Sequence, residues 1–250
     1  MILQRLATSI RKQDWVTVLI ETLIVVLGVF LGLQLGNWNE ARIERSMERQ
    51  YVLRLHDDMQ RSAEAIRSSN SFLATQVANE GVLLASLDRC EVAAGDREAV
   101  AAALGALGKY NFAIVDRDLV NQLRASGQFD TIRNASVRQA INLMSRASDE
   151  QLRVEPQWLT HAGPWTAYAR RFYYFDSPED VDSGRWESWD NLKFDIETAC
   201  QDFEFKAAVG NTREGTRNLY HWNASVLARV EEAEHALAEE IAARGWDITK

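Results

Sequence analysis

Apolar positions along the chain change their spacing twice. Residues 16–37, VTVLIETLIVVLGVFLGLQLGN, form one apolar run with a single charge, Glu21. About 22 residues at ~1.5 Å rise reach roughly 33 Å, enough to cross a ~30 Å hydrocarbon core. Trp15 and Trp38 bracket the run as interfacial aromatics do. The pattern predicts a transmembrane helix over 15–38. A secretory signal would have a shorter apolar core and a small-x-small site. This run ends in Leu35-Gly36-Asn37-Trp38, so it reads as a retained anchor.

Beyond the span the spacing becomes amphipathic. No Pro or Gly interrupts residues 37–80, and Met47, Tyr51, Leu55 and Met59 recur at i+4. This predicts a stalk helix continuing to about Leu87, with Glu44, Glu48, Arg45 and Arg49 on its other faces. A break follows at Ala93-Ala94-Gly95-Asp96, then short helices over about 97–107 and 116–125. Asn134 or Ser136 is placed to cap a helix whose Val137, Ala140, Ile141 and Met144 share a face. A last helix over 212–243 carries Leu219, Trp222, Val226, Val230, Ala233, Leu237 and Ile241, close to a heptad seam. It should lie parallel or antiparallel to the stalk. Segment 154–190 breaks the pattern. It holds all three prolines and nine aromatic residues, from Trp158 and Trp165 to Trp186 and Trp189, and reads as irregular. Its aromatics either line a groove or close the bundle, and packing is the preferred reading.

The expected fold is therefore all-α, in three parts. They are an amphipathic basic segment over 1–14, a transmembrane helix over 15–38, and an acidic helical extramembrane domain over 39–250. Composition agrees with this. The apolar fraction of 46% is globular, and two cysteines exclude a disulfide scaffold or a multi-Cys zinc module. A net charge of -8 argues against nucleic-acid binding, and its negative excess lies wholly beyond the span. Basic residues flank the span on both sides, Arg5, Arg11 and Lys12 before it and Arg42, Arg45, Arg49 and Arg54 after it. The positive-inside count alone is not decisive. The basic face of segment 1–14 suits an anionic cytoplasmic leaflet, and a large acidic domain suits the far side. The expected topology has the N-terminus in the cytoplasm and the domain in the periplasm.

One face of the span carries candidate chemistry. Gly28, Gly32 and Gly36 repeat every four residues, and small-xxx-small spacing lets membrane helices approach closely. Glu21 falls on the Gly28 face, as do Thr17 and Asn39. A carboxyl within hydrocarbon costs about 2–3 kcal/mol near the centre unless it meets a partner or water. The stripe therefore reads as a helix–helix interface of a homo-oligomer. The alternative is that Glu21 snorkels to the membrane surface.

Residues 19–42, LIETLIVVLGVFLGLQLGNWNEAR, resemble the opening of an uncharacterised family of bacterial membrane proteins. In that family a Glu-led apolar span ends in Trp-Asn-Glu, here Trp38-Asn39-Glu40. Leu123-Arg124-Ala125-Ser126-Gly127, followed by Ile132-Arg133-Asn134, is similar to a second turn of the family. The likeness covers residues 15–150 and leaves the aromatic segment unmatched. It implies a single-pass inner-membrane protein with a helical domain, and no activity.

The remaining chemistry is sparse. Cys90 and Cys200 either pair, in an oxidising compartment, or stay as two buried thiols. Glu232-x-x-His235 has di-iron spacing, and Glu231, His235 and Glu239 share a face, but no second Glu-x-x-His exists. These residues read as a solvated acidic face. His56 with Asp57 and Asp58 reads as a polar stalk face, and Glu179-Asp180 as adjacent acids only. Asn134-Ala135-Ser136 and Asn223-Ala224-Ser225 fit the glycosylation pattern but read as caps or coincidence. Neither a phosphate loop nor a nucleophile elbow is present. No metal, cofactor or enzymatic activity is expected. The expected function is a self-associating membrane protein with a helical interaction or sensory domain. The alternatives are a small channel or proton-coupled component using Glu21, and a tethered enzyme with its site in 154–190.

Overall fold

Helix α1, Trp15–Arg89, is 75 residues long and holds two chemistries. The protein, seen as a computed structural model, is described over residues 15–176 and 187–246, with side chains from residue 20 onward. Segment 1–14, Pro178, Glu179-Asp180 and Trp186 therefore lie outside the described residues, as do the side chains of Trp15 and Thr17. The chain divides into two units, Met1–Tyr51 and Val52–Lys250. Residues 39–51 fall in the same unit as the apolar span. Most of their side chains are exposed, and fully buried core positions recur only from Val52 onward.

In the first unit, residues 20–40 are exposed throughout. Ile24, Val25, Leu33 and Leu35 each show more than 60% of their surface, at 63%, 64%, 63% and 65%. Among the described residues this is one helix long and apolar enough to cross a membrane.

The second unit is a helical bundle. After α1 come α2 (Arg97–Ala106), α3 (Asp118–Ala125), α4 (Ala135–Ala169), β1 (Tyr173–Phe175), β2 (Leu192–Phe194), α5 (Ile196–Ala199) and α6 (Phe203–Arg244). The all-α expectation holds, with one short ribbon added. In it Tyr173 faces Phe194, Tyr174 faces Lys193 and Phe175 faces Leu192, antiparallel.

Residues 52–89 of α1 run antiparallel to α6. Arg67 Nη2 donates to Glu231 Oε1 at 2.6 Å, Arg213 Nε to Val77 O at 3.1 Å, and Lys206 Nζ to Asp88 Oδ1 at 3.4 Å. Helix α4 is also antiparallel to α6, since Asn134 Nδ2 donates to Glu240 Oε2 at 2.6 Å and Trp158 lies against Gly215. Helices α1 and α4 are therefore parallel to each other. Parallel neighbours need a long crossover, and residues 90–134 supply it with α2 and α3.

That crossover passes through the bundle as a loop, residues 107–117, whose backbone is satisfied by buried side chains. Asn223 Oδ1 accepts from Ala113 N–H at 3.0 Å, and its Nδ2 donates to Asn111 O at 2.8 Å. Gln151 Nε2 donates to Ala113 O at 2.9 Å, and Ser62 Oγ accepts from Asp116 N–H at 3.0 Å. Buried polar backbone needs such partners. Asn223→Ala should cost about 2 kcal/mol, because it strands the Ala113 N–H away from water, while Asn111 O keeps its bond from Ser69 Oγ. Urea unfolding of the two proteins measures this, and a loss below about 0.5 kcal/mol would mean that water reaches the loop.

Two boundaries differ from the sequence reading, and one open choice of cap is decided. Helix α6 starts at Phe203, nine residues before the expected Thr212, because Asp202 caps it by accepting from Phe205 N–H at 2.7 Å. Gly210 and Gly215 hide this start, each costing up to about 1 kcal/mol in a helix interior. Helix α4 runs through Pro156 and Pro164 to Ala169, so the first half of 154–190 is regular. Both prolines sit on the exposed face, where water meets the carbonyls they leave unpaired. The α4 cap is Asn134, whose Oδ1 accepts from Ser136 N–H and Val137 N–H.

At one end of the bundle, Leu83, Leu87, Val100, Leu104, Tyr173, Leu192, Phe205 and Val209 form a core. Cys90 and Cys200 are joined there by a disulfide across a sequence separation of 110. The open alternative of two thiols is thus settled as a bond. It ties the end of α1 to the turn before α6.

Candidate functional site

The expected membrane face is a continuous helical stripe. Glu21, Gly28, Gly32, Gly36 and Asn39 are exposed, and Trp38 shows 60% of its surface. A Cβ at Gly28, Gly32 or Gly36 would meet nothing within 4 Å, so the face is open along its length. Thr17 and Trp15 belong to the same helix.

Within the second unit, sequence reasoning missed a buried polar layer. Glu80, on α1, is fully buried. Its Oε1 accepts from Gln76 Nε2 at 3.1 Å and lies 3.3 Å from Thr216 Oγ1. Thr216 also reaches Thr212 O at 3.0 Å, and Gln76 Nε2 reaches Ala106 O at 2.9 Å. Glu80 Oε2 and Gln76 Oε1 have no hydrogen-bond partner among the described residues. Burial pushes the Glu80 carboxyl up to about 7, against the hydrogen bonds and the charge of Arg213. Gly81 leaves room for that arginine, since a Cβ there would stand 3.2 Å from Arg213 Nη2. Tyr110 completes the layer. Burial and the Glu80 carboxylate push its phenol up to about 12, although it is hydrogen-bonded to Thr212.

Spacing carried a signal for this layer. Ile66, Leu73, Glu80 and Leu87 recur every seven residues and are all fully buried. Glu80 therefore occupies a core position of the stalk seam. Glu48 and His56, expected on polar faces, are also buried, at 1% and 4% exposure. His56 falls on the inward side of the helix, beside Val52 and Leu55.

Two open clefts flank the 107–117 loop. One, of about 860 Å³, lies between α1 and α4 and includes Phe72, Ile114, Arg117 and Leu152. The other, of about 380 Å³, lies between α4 and α6 and includes Tyr110, Trp158, Trp165 and Gly215. The aromatic segment thus divides. Tyr168, Phe172 and Phe205 pack ring on ring, with centroids 5.7 and 4.7 Å apart, while Trp158 and Trp165 line the second cleft.

The acidic face of α6 is paired internally. His235 Nε2 lies 3.2 Å from Glu239 Oε1, Glu231 meets Arg67, and Glu232 meets Arg229 at 2.7 Å. Among the described residues no group of three or more His, Cys, Asp or Glu is placed to hold a metal ion. Asp58 sits beside the exposed Asp57 but is itself buried and bonded to Arg61. Desolvation and the nearby Asp116 hold its carboxyl above the usual range. Of the two glycosylation patterns, Asn134 is a helix cap and Asn223 is fully buried. No family model matches the chain, and no curated protein or solved structure is significantly similar to it.

Proposed function

We propose that the chain is a single-pass membrane protein of the bacterial inner membrane, self-associating through the Glu21–Gly28–Gly32–Gly36 face. It carries a helical interaction or sensory domain and has no enzymatic role. The observation that carries this reading is the exposure of every apolar side chain between Ile20 and Leu35 on one continuous helix. In water that surface would be costly at about 25 cal/mol per Å²; in hydrocarbon it is solvated. The open glycine face supports a helix partner, because backbones approach closest where no Cβ intervenes. The Cys90–Cys200 bond supports placing the domain in an oxidising compartment, hence the periplasm, with the N-terminus in the cytoplasm.

Native mass of the full chain in detergent tests the reading. The expected result is a defined oligomer that falls to a monomer in a Gly28→Leu/Gly32→Leu variant. A monomer in both would remove self-association and leave the span as a simple tether. Recovery of the chain in the soluble fraction of cells would remove the membrane reading altogether.

A further inference from the structure

The cleft between α4 and α6 belongs to the second unit and does not depend on the membrane reading. Its volume, about 380 Å³, falls in the range of small-molecule sites. Trp158 and Trp165 are seven residues apart on α4, so both project from one face, roughly 10 Å apart along the axis. Tyr110 meets Trp158 edge to face, with centroids 6.4 Å apart and planes at 82°. The tyrosine is held by its bond to Thr212. On the opposite wall stands Gly215. A Cβ there would come 3.6 Å from both Trp158 Cζ2 and Tyr110 Oη, so a larger side chain would occupy the cleft.

Among the described lining residues Glu214 is the one carboxylate and His161 the one imidazole, and there is neither Lys nor Arg. Glu214 pairs with Arg217 at 2.8 Å, but both side chains are half exposed, at 53% and 54%. Such a pair adds little and yields readily to a better partner. Aromatic faces beside a carboxylate attract a cation whose body is apolar, since ring quadrupole and charge act in the same sense.

We propose that this cleft binds a small organic cation with an apolar body, an aryl- or alkylammonium, seated against Tyr110, Trp158 and Trp165 with its charge toward Glu214. The domain then acts as a receptor for amines of this class.

Calorimetric titration of the full chain in an uncharged detergent, with benzyltrimethylammonium as probe and the heats of detergent alone subtracted, tests this. Saturable binding is expected. Benzyl alcohol and phenylacetate should bind at least about tenfold more weakly. Glu214→Gln should weaken the cation by about tenfold with its melting temperature unchanged, because Glu214 is a surface residue. Gly215→Leu should abolish binding by filling the cleft. No saturable heat with the wild-type chain would overturn the proposal. So would an equal affinity for benzyl alcohol, or an unchanged affinity in Glu214→Gln. Should the Gly215 variant fail to fold, the Glu214 variant and the neutral probe decide alone.

Discussion

Opening the Cys90–Cys200 bond is expected to lower the stability of the helical domain by about 4–5 kcal/mol, on the chain-entropy scale for a loop of this size. For a domain of about 200 residues this is a fall of roughly 10–15 °C in melting temperature. The bond closes a loop that contains α2, α3, α4 and the β1–β2 ribbon, so the reduced unfolded chain gains much freedom. The native state loses less, because Cys90 is held by more than its sulfur. It ends α1 with φ 50°, where glycine is the usual residue. Cys90 N–H donates to Leu87 O at 3.4 Å and Glu91 N–H to Ser86 O at 3.2 Å, which closes the helix end. A left-handed residue with a Cβ costs about 1–2 kcal/mol. In a Cys200→Ala background, Cys90→Gly should therefore recover about 1 kcal/mol relative to Cys90→Ala. Thermal unfolding of the oxidised chain, the reduced chain and both double variants reads these differences. A shift below about 3 °C on reduction would mean that the unfolded chain is already compact around this end.

The sequence foretold the element types better than their ends, and particular residues show why. The apolar run at 16–37 needs no tertiary context, because hydrocarbon imposes a length and a composition on its own. The bundle seams were half visible. On α6 the buried positions Phe205, Val209, Thr212, Thr216, Leu219, Asn223, Val226 and Val230 alternate by three and four throughout. Reading apolar residues alone begins that seam at Leu219 and puts Trp222 where Asn223 belongs. Polar seam residues are silent to a hydrophobic count, yet these are the ones that hold the 107–117 loop and Glu80. The prolines of α4 misled in the opposite sense. Pro156 and Pro164 have strong local meaning, but their exposed placement lets the helix continue on the packing of its other face. Neither cleft could be read from spacing, since Tyr110 reaches Trp158 and Gly215 only after the crossover has folded. The pairing of Cys90 with Cys200 depends on the redox compartment, which residue spacing does not encode.

Glu80→Gln should make the protein more stable above pH 7 and leave it nearly unchanged near pH 4.5. An ordinary glutamate releases its proton near 4.5, and in the folded chain Glu80 holds it to about 7. Between those values the folded state binds a proton that the unfolded state has released, so stability falls as pH rises. The loss begins near pH 4.5, is complete just above 7, and amounts to roughly 3 kcal/mol. Its cause is local. Thr216 has one hydroxyl proton and two acceptors in reach, Thr212 O at 3.0 Å and Glu80 Oε1 at 3.3 Å. A protonated Glu80 can donate to Thr216 Oγ1 and leave the Thr212 bond intact. An ionised Glu80 competes for that proton, is cut off from water by burial, and has the charge of Arg213 to offset this in part. Glutamine has the same shape and never ionises, so it behaves as the protonated acid at every pH. Other acids also tilt the wild-type curve: Asp58 is raised in the same sense and Asp195 is lowered in the opposite one. The difference between wild type and Glu80→Gln cancels both, because each is present in the two proteins. Urea unfolding of the pair from pH 4.5 to 8.5 should give a difference that grows with pH and levels off above 7. A difference flat across that range would mean that Arg213 and Thr216 already balance the charge, and that the layer is a packing feature rather than a proton-dependent one.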